Sequence, residues 1–441
     1  MLVGCSALPV LLLSVATACT SNAILDVEVA AGPGTVLRVS WNTAVDSTGE
    51  VRWGEGEDQV VATEQGKAHR AVIVGLEPNL DVTFTITGHA SGVELAPAEL
   101  STTTVPAPPL LPSLTVTGAL PEPLWFVTAL ASSPPGAAIY STEGQPAWWR
   151  LYGSDPLSIT DAQLALDGRS ILYNRFTPGE SLEAQGGEAP SELVREYLDG
   201  HPEEVIATQN QHHAFAQLPD GTITFIVYDI REVEGETVRG DALVERAPDG
   251  NETTLWSTWD SFTYEPGTDL AGVGWTHCNS VSWNAEEEAY YVSVRNLNAI
   301  VKLSRTGERI WTFGGVTSDF ELLDDDGTVH QHRVRGEDGG TGLLVFDNGA
   351  AAALGSRVVR YALDLQTMTA TTEVEASEGV YTYSLGDVER LPEGGMWVSW
   401  GSGGEVTVQG EDGQASVTMA SELGSVFGFG AVIPDLRSLA Q

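Results

Sequence analysis

Histidines gather in three short segments of this 441-residue chain. Five of the eight histidines lie there, as His212 and His213, His277, and His330 and His332. An imidazole can attack as a nucleophile, and near neutral pH it can also accept or donate a proton. Since five histidines at related positions are hard to explain as isolated structural residues, we predict a site where they converge.

The histidine segments belong to a repeat. Each repeat unit is a β-hairpin, in which a strand, a turn usually of the Asp-Gly or Glu-Gly type and an apolar strand follow one another. The five hairpins cover Thr160–Gly168, His213–Gly221, Asn279–Glu287, His332–Gly340 and Gly386–Gly394. Their first residues recur about every 50 to 65 residues, which fits a four-stranded unit.

A second kind of hairpin lies between these, with a turn glycine that is often followed by a tryptophan. It is marked by Gly144 and Trp148, Gly250 and Trp256, and Gly307 and Trp311, and more weakly by Gly200, Gln366 and Gly413. Two hairpins make a four-stranded blade, and residues 114–441 hold about six of them. We therefore predict an all-β fold with a six-bladed β-propeller.

Pairing across each turn returns a later residue to the start of its hairpin. This predicts Asp229 near His213, Arg295 near Asn279, and Asn348 near His332. His277 lies two residues before Asn279, and the two side chains share one face of a strand. Because the chain has only 21 Lys and Arg residues, a guanidinium at this place would serve to meet an anion.

Two further segments precede the predicted propeller. Short alternating strands around Trp41 and Trp53 predict a fibronectin type III-like β-sandwich over residues 23–105. Residues 106–113 contain four prolines and predict a stiff, extended linker.

The N-terminal residues 1–18 predict a signal peptide of the lipoprotein type. The apolar run from Leu8 to Ala16 is too short to span a bilayer. Val15-Ala16-Thr17-Ala18-Cys19 resembles a lipobox, in which Cys19 is lipidated and becomes the first mature residue. We expect export and a lipid anchor in the bacterial cell envelope, on its periplasmic or outer surface.

Composition excludes several classes of function. A formal charge of −40 repels phosphate backbones, so nucleic acid is not expected as a partner. Cys278 alone would remain in the folded part, which excludes an intrachain disulfide and a cysteine-rich metal site. No metal and no cofactor is predicted, and the oligomeric state is left open.

The motifs around the histidines resemble one family. In chain order they are His212-His213-Ala214-Phe215, Trp275-Thr276-His277-Cys278-Asn279-Ser280, Ser293-Val294-Arg295-Asn296-Leu297, Trp311-Thr312-Phe313-Gly314-Gly315, Gln331-His332, and Leu344-Val345-Phe346-Asp347-Asn348-Gly349. This series resembles the bacterial arylsulfate sulfotransferases over about Thr160 to Pro392.

The resemblance implies a sulfuryl transfer from an aryl sulfate donor to a phenolic acceptor. It gives His332 the role of the transiently sulfurylated histidine, supported by His213 and His277, with Asn279 and Arg295 as sulfate ligands. The remaining candidates for substrate binding are His212, His330 and Asn348. One of His213 and His277 would transfer the proton, and the sequence does not distinguish them.

Two other classes of function compete with this interpretation. A sulfatase is excluded because Cys278 is followed by Asn279, Ser280, Val281 and Ser282, without the proline and arginine that its nucleophile requires. A non-catalytic, surface-anchored propeller that binds a glycan or a sulfated ligand remains open, because the same groups could bind an anion passively.

Overall fold

The computed structural model describes residues 23–57, 59–132, 134–153, 157–177, 190–266, 274–324, 327–349, 355–377, 380–436 and 439. The predicted signal peptide and Cys19 lie outside these ranges. Within them the chain is all-β, as predicted, and α1 (Thr258–Ser261) is the one α-helix described. No helix in these ranges is long and apolar enough to cross a membrane.

Strands and tight turns alternate along the described chain. The first strands are β1 (Ile24–Ala31), β2 (Leu37–Trp53), β3 (Gln59–Ile73), β4 (Asp81–Ala90), β5 (Val93–Glu94), β6 (Ala98–Thr103) and β7 (Leu114–Gly118). Next come β8 (Trp125–Leu130), β9 (Gly136–Ser141), β10 (Pro146–Leu151), β11 (Ala162–Leu164), β12 (Ser170–Phe176), β13 (Pro190–Tyr197), β14 (Glu204–Gln209), β15 (Gln211–Gln217), β16 (Ile223–Val233), β17 (Glu236–Arg246) and β18 (Glu252–Ser257).

The remaining strands follow helix α1. They are β19 (Cys278–Asn284), β20 (Ala289–Val294), β21 (Ala299–Ser304), β22 (Arg309–Gly314), β23 (Glu321–Leu322), β24 (Val334–Glu337), β25 (Gly342–Asp347), β26 (Arg357–Asp364), β27 (Thr369–Ala376), β28 (Asp387–Arg390), β29 (Met396–Ser399), β30 (Glu405–Gln409), β31 (Ala415–Ser421) and β32 (Phe427–Ile433). Short 3-10 turns cover Glu55–Glu57, Arg295–Leu297, Asp338–Gly340 and Gly401–Gly403.

Strands β1 to β6 form one sheet around its own apolar core. The long strand β2 pairs with β3 along most of its length, and its other edge pairs first with β1 and then with β4. In β4, the buried residues Val82, Phe84 and Ile86 alternate with polar residues. This period of two buries one face of the strand, and that face packs in a core that includes Trp41.

The other described strands form six sheets of four or five strands. We name them in chain order: sheet I (β32-β8-β9-β10), sheet II (β11 to β14), sheet III (β15 to β18), sheet IV (β19 to β22), sheet V (β24 to β27, with β23) and sheet VI (β28 to β31, with β7). All the hairpins predicted from the repeat are present as antiparallel pairs.

The six sheets follow one another around a centre. Strand β11 contacts β32, β15 contacts β19, β19 contacts β24, and β28 contacts β32, so the leading strands of the sheets lie innermost. The circle is completed by β32, which pairs with β8, and by β7, which pairs with β31. Many small sheets arranged in this way make a β-propeller-like fold.

Apolar side chains fill the space between neighbouring sheets. Between sheets VI and I, Trp397 packs on Phe126 with the ring centroids 5.7 Å apart. Trp397 is 1% exposed and belongs to a cluster that contains residues of both sheets. Burial of these rings stabilises the contact between sheets VI and I, the two sheets that β7 and β32 complete.

We predict that Trp397→Ala weakens this seam. Removing a buried indole costs about 3–5 kcal/mol of unfolding free energy, since both the burial and the packing are lost. Val316→Ala is the matched control, because Val316 is 100% exposed and should change stability by less than about 0.5 kcal/mol. Urea titration followed by far-UV circular dichroism measures both, and equal losses would contradict the prediction.

Candidate active site

Three histidines begin or precede the inner strands with a left-handed backbone. Their φ angles are 56° at His213, 48° at His277 and 56° at His330. Residues with a Cβ rarely adopt this conformation, and it persists where the surrounding structure holds it. Bulges accompany it, because the ladders shift after His212 and after Cys278. A bulge interrupts the alternation of side chains and re-aims the residues within it.

The structure brings His213, His277, His332 and Arg295 together. The rings of His213 and His277 lie 4.7 Å apart between centroids. Burial, and then the nearby His277, His212, His332 and Arg295, hold the pKa of His213 well below its ordinary value. These four groups come from sheets III, IV and V, so three neighbouring sheets build the site.

His332 is held at both ring nitrogens. It is 1% exposed, Nδ1 lies 2.6 Å from Asn348 Oδ1, and Nε2 accepts a hydrogen bond of 2.9 Å from the Leu385 N–H. Because Nε2 accepts, the ring proton is on Nδ1 and is donated to Asn348. Burial, assisted by Arg295 and His277, lowers the pKa of His332 to about 3, so the ring is neutral at neutral pH.

Asn348, which the sequence predicts to bind substrate, is hydrogen-bonded to His332. Its Oδ1 accepts from His332, while its Nδ2 donates to the carbonyls of Thr382 (2.7 Å) and Leu385 (2.9 Å). Both amide hydrogens are therefore occupied, and the side chain is 1% exposed. Asn348 is a positioning residue that orients His332.

His212, which is also predicted to bind substrate, lies in the protein interior. The ring is fully buried and stacks on Tyr228, with centroids 4.0 Å apart. Its Nδ1 lies 2.8 Å from His213 Nδ1, and its Nε2 lies 3.0 Å from Asp241 Oδ1. His212 therefore lies between the His213 ring and a buried carboxylate.

Asn279 and Arg295, the predicted sulfate ligands, differ in how much of their bonding capacity is used. Asn279 is fully buried and donates to the Gln331 carbonyl at 2.8 Å, while its Oδ1 has no partner. Arg295 is half-buried and donates to Asn296 Oδ1 at 2.9 Å. None of the described carboxylates pairs with Arg295, and burial lowers its pKa. A guanidinium left in this state can attract an anion.

The last two predicted residues, His330 and Asp229, have different surroundings. His330 is half-buried, and its backbone N–H donates to Asn298 Oδ1 at 2.9 Å. Burial, and to a smaller extent the charge of Arg295, lowers the pKa of its ring. His330 therefore lies beside Arg295. Asp229 instead accepts from Ser257 Oγ at 2.6 Å and pairs with Arg231 at 2.8 Å.

Two contributors were missed by the sequence analysis. Leu385, with φ 59°, supplies the N–H on His332, and it directly precedes Gly386, the first residue of the fifth hairpin. The repeat could have indicated its position. Asp241 lies in β17, in a hairpin of the second kind, and no motif or spacing points to it. No group of three or more His, Cys, Asp or Glu in the described ranges is arranged to hold a metal ion.

The sheets and the site define a propeller-like protein whose chemistry is carried by imidazoles and a guanidinium. The family model described as Arylsulfotransferase (ASST) matches residues 192–424, more than half of the chain. The chain belongs to the arylsulfotransferase family, and the prediction made from its motifs is confirmed.

Solved structures offer distant likenesses. A protein of unknown function from Bacteroides caccae has a TM-score of 0.46 and 13% identity, covering 71% of this chain and 100% of that chain. One from Bacteroides thetaiotaomicron has a TM-score of 0.39 and 11% identity, over 90% and 98%. A Lactobacillus plantarum protein has a TM-score of 0.38 and 11% identity, over 88% and 99%. At these values the likenesses carry no functional argument. No curated protein matches the chain.

The bonding of His332 predicts its tautomer. In a protein labelled with ¹⁵N-histidine, His332 should be neutral at about pH 5 and carry its proton on Nδ1, because burial disfavours the charged ring. Asn348→Ala removes the acceptor of that proton, but the Leu385 N–H still requires a lone pair on Nε2, so the variant should keep the Nδ1–H tautomer. Imidazole ¹⁵N shifts report both states, and a protonated His332 at that pH would contradict the assignment.

Proposed function

We propose that this protein is an aryl-sulfate sulfotransferase that moves a sulfuryl group from a phenolic sulfate ester to a phenol through a sulfohistidine at His332. One observation carries the proposal: imidazoles that burial keeps neutral stand beside the Arg295 guanidinium, which pairs with no carboxylate in the described ranges. A neutral imidazole is nucleophilic, and Arg295 attracts the anionic ester in an otherwise acidic chain.

In the first half-reaction, His332 Nε2 attacks sulfur. Its lone pair forms the N–S bond while the S–O bond to the aryl group breaks, and that electron pair leaves on the phenolate oxygen. Asn348 holds Nδ1–H and supports the positive charge that the ring gains. Arg295 and the Asn279 amide group would hold sulfuryl oxygens as their charge changes.

The hydrogen bond from the Leu385 N–H to His332 Nε2 has to break during this step, because Nε2 forms the bond to sulfur. As sulfur takes its place, the N–H becomes available to a sulfuryl oxygen, so the same group that holds the resting ring would stabilise the transferred group. In the second half-reaction an acceptor phenol loses its proton to His213 or His277 and attacks sulfur, and the N–S bond breaks to restore neutral His332.

The bond from Leu385 also favours the alternative function. A histidine whose lone pair is already engaged suits passive recognition of a sulfated or glycan ligand beside Arg295. Such a protein would bind the ester without cleaving it, and the release of phenol distinguishes the two functions.

The proposal extends to the architecture. Sheets I to VI would be the blades of a six-bladed propeller over residues 114–441, and residues 23–105 a fibronectin type III-like sandwich joined to it by the 106–113 linker. A signal peptide over residues 1–18 and a lipid on Cys19 would anchor the exported protein in the cell envelope.

Donor alone should release phenol in a burst of at most one equivalent, because the sulfuryl group stays on His332. His332→Ala should abolish the burst and lower turnover by several orders of magnitude, since positioning cannot replace a nucleophile. His201→Ala is the control, as that side chain is 67% exposed. Stopped-flow absorbance with a chromogenic aryl sulfate measures the burst. A burst that persists in His332→Ala, or a labelled sulfuryl group from the donor that is found on another histidine, rejects the assignment.

The donor is expected to be a simple aryl sulfate. No Gly-rich Lys-Ser/Thr loop for a nucleotide phosphate occurs in the sequence, and the net charge of −40 opposes a polyphosphate. Parallel assays with an aryl sulfate and with adenylyl phosphosulfate test this. Turnover with the nucleotide donor alone would contradict it.

A further inference from the structure

A chain of three side chains runs from the protein interior to the site. Asp241 is 2% exposed, and its Oδ1 lies 3.0 Å from His212 Nε2. This contact is electrostatic, because His212 Nε2 is within ion-pair distance of the carboxylate but forms no well-aligned hydrogen bond. His212 Nδ1 then lies 2.8 Å from Nδ1 of His213.

Asp241 is ionised. Burial acts to raise its pKa, but the interaction with His212 and the hydrogen bonds from Thr276 and Cys278 outweigh burial and hold the pKa below its ordinary value. Its Oδ2 accepts from Thr276 Oγ1 (2.5 Å) and from the Cys278 N–H (2.7 Å). Because the Cys278 N–H can only donate, Oδ2 must accept, and the carboxylate faces His212 with Oδ1.

The ionised Asp241 determines which ring nitrogen carries the proton in His212 and in His213. An ionised Asp241 requires the proton of His212 on Nε2, which leaves the lone pair on His212 Nδ1. That lone pair can accept only if His213 carries its proton on Nδ1. The second nitrogen of His213, Nε2, then has its lone pair free, on a ring that contacts His277.

We propose that Asp241, acting through His212, sets His213 as the general base that deprotonates the acceptor phenol. Asp241 and His212 are positioning residues, and His213 is the catalytic one. The phenol proton moves to His213 Nε2, the phenolate oxygen forms the new S–O bond, and the N–S bond to His332 breaks. The positive charge on His213 is shared through His212 with Asp241. This inference rests on the proposed function and assigns the proton transfer to His213 instead of His277.

Asp241→Asn tests this relay, because the asparagine amide that replaces the carboxylate can take only one orientation. Thr276 and Cys278 both donate, so the asparagine must turn its oxygen toward them and its NH₂ toward His212. His212 then accepts at Nε2 and carries its proton on Nδ1, which forces His213 to carry its proton on Nε2. His213 Nε2 then has no lone pair to accept the phenol proton, although the hydrogen bonds from Thr276 and Cys278 to residue 241 are kept.

Asp241→Asn should leave the burst with an activated aryl sulfate close to wild type and slow acceptor-dependent turnover by roughly 10²–10⁴-fold. The loss should shrink as the acceptor phenol becomes more acidic, because an ionised phenol needs no base. His212→Phe, which keeps the stacking on Tyr228, should behave alike. Asp199→Asn is the matched control, since Asp199 pairs with His201 at 2.6 Å on the exposed surface.

Unchanged turnover in Asp241→Asn, or a loss that is equal for burst and turnover and independent of acceptor acidity, overturns the relay. Imidazole ¹⁵N shifts give a readout that needs no activity: His213 should carry its proton on Nδ1 in the wild type and on Nε2 in Asp241→Asn. A wild-type protein without any burst would overturn the proposed function, whereas unchanged tautomers would overturn the relay alone.

Discussion

Strand β32 pairs with β8, and β7 pairs with β31, so strands from opposite ends of residues 114–436 complete sheets I and VI. These two pairings hold the inner strands around a common centre. The inner strands begin at the same end, and their first residues therefore meet there. Groups far apart in sequence, such as His213 and His332, become neighbours because hydrogen bonding at the seam keeps the circle of sheets closed.

A layer of paired charges lies next to the histidines along the inner strands. Arg333 donates to both oxygens of Asp387 (2.8 and 3.0 Å), and its guanidinium lies 4.2 Å from the centroid of Phe429. Asp161, 3.8 Å from Arg333, has a pKa raised by burial to about 6. These contacts tie sheets II, V, VI and I together. Toward the other ends of the inner strands, a cavity of about 160 Å³ includes Arg335 and Glu389 in its lining.

The site concentrates positive and neutral groups in a chain that is strongly negative. Its carboxylate, Asp241, stands one ring behind the reactive histidines and also bonds to the residues on either side of His277. The same bonds help to hold His277 in its left-handed backbone. The interior charge and the strained histidine thus depend on each other, which is how a local cost in backbone energy is maintained at a site.

The hairpin repeat and the position of its histidines can be read from sequence, because strand alternation and turn chemistry are local properties. The same counting placed Arg295 and Asn348 correctly beside the first residues of their hairpins. It could not assign their partners. Asn348, which was predicted to bind substrate, is hydrogen-bonded to His332, and Asp229 pairs with Arg231.

The sequence by itself therefore determined the all-β class, the hairpins, the family and the histidine set. Only the tertiary structure decided which nitrogen of each histidine is free. That depends on the Leu385 N–H, which comes from another sheet, and on Asp241, which comes from an outer hairpin. Bulges and left-handed residues redirect these groups, and hydrogen bonds between distant segments leave no periodic trace in the chain.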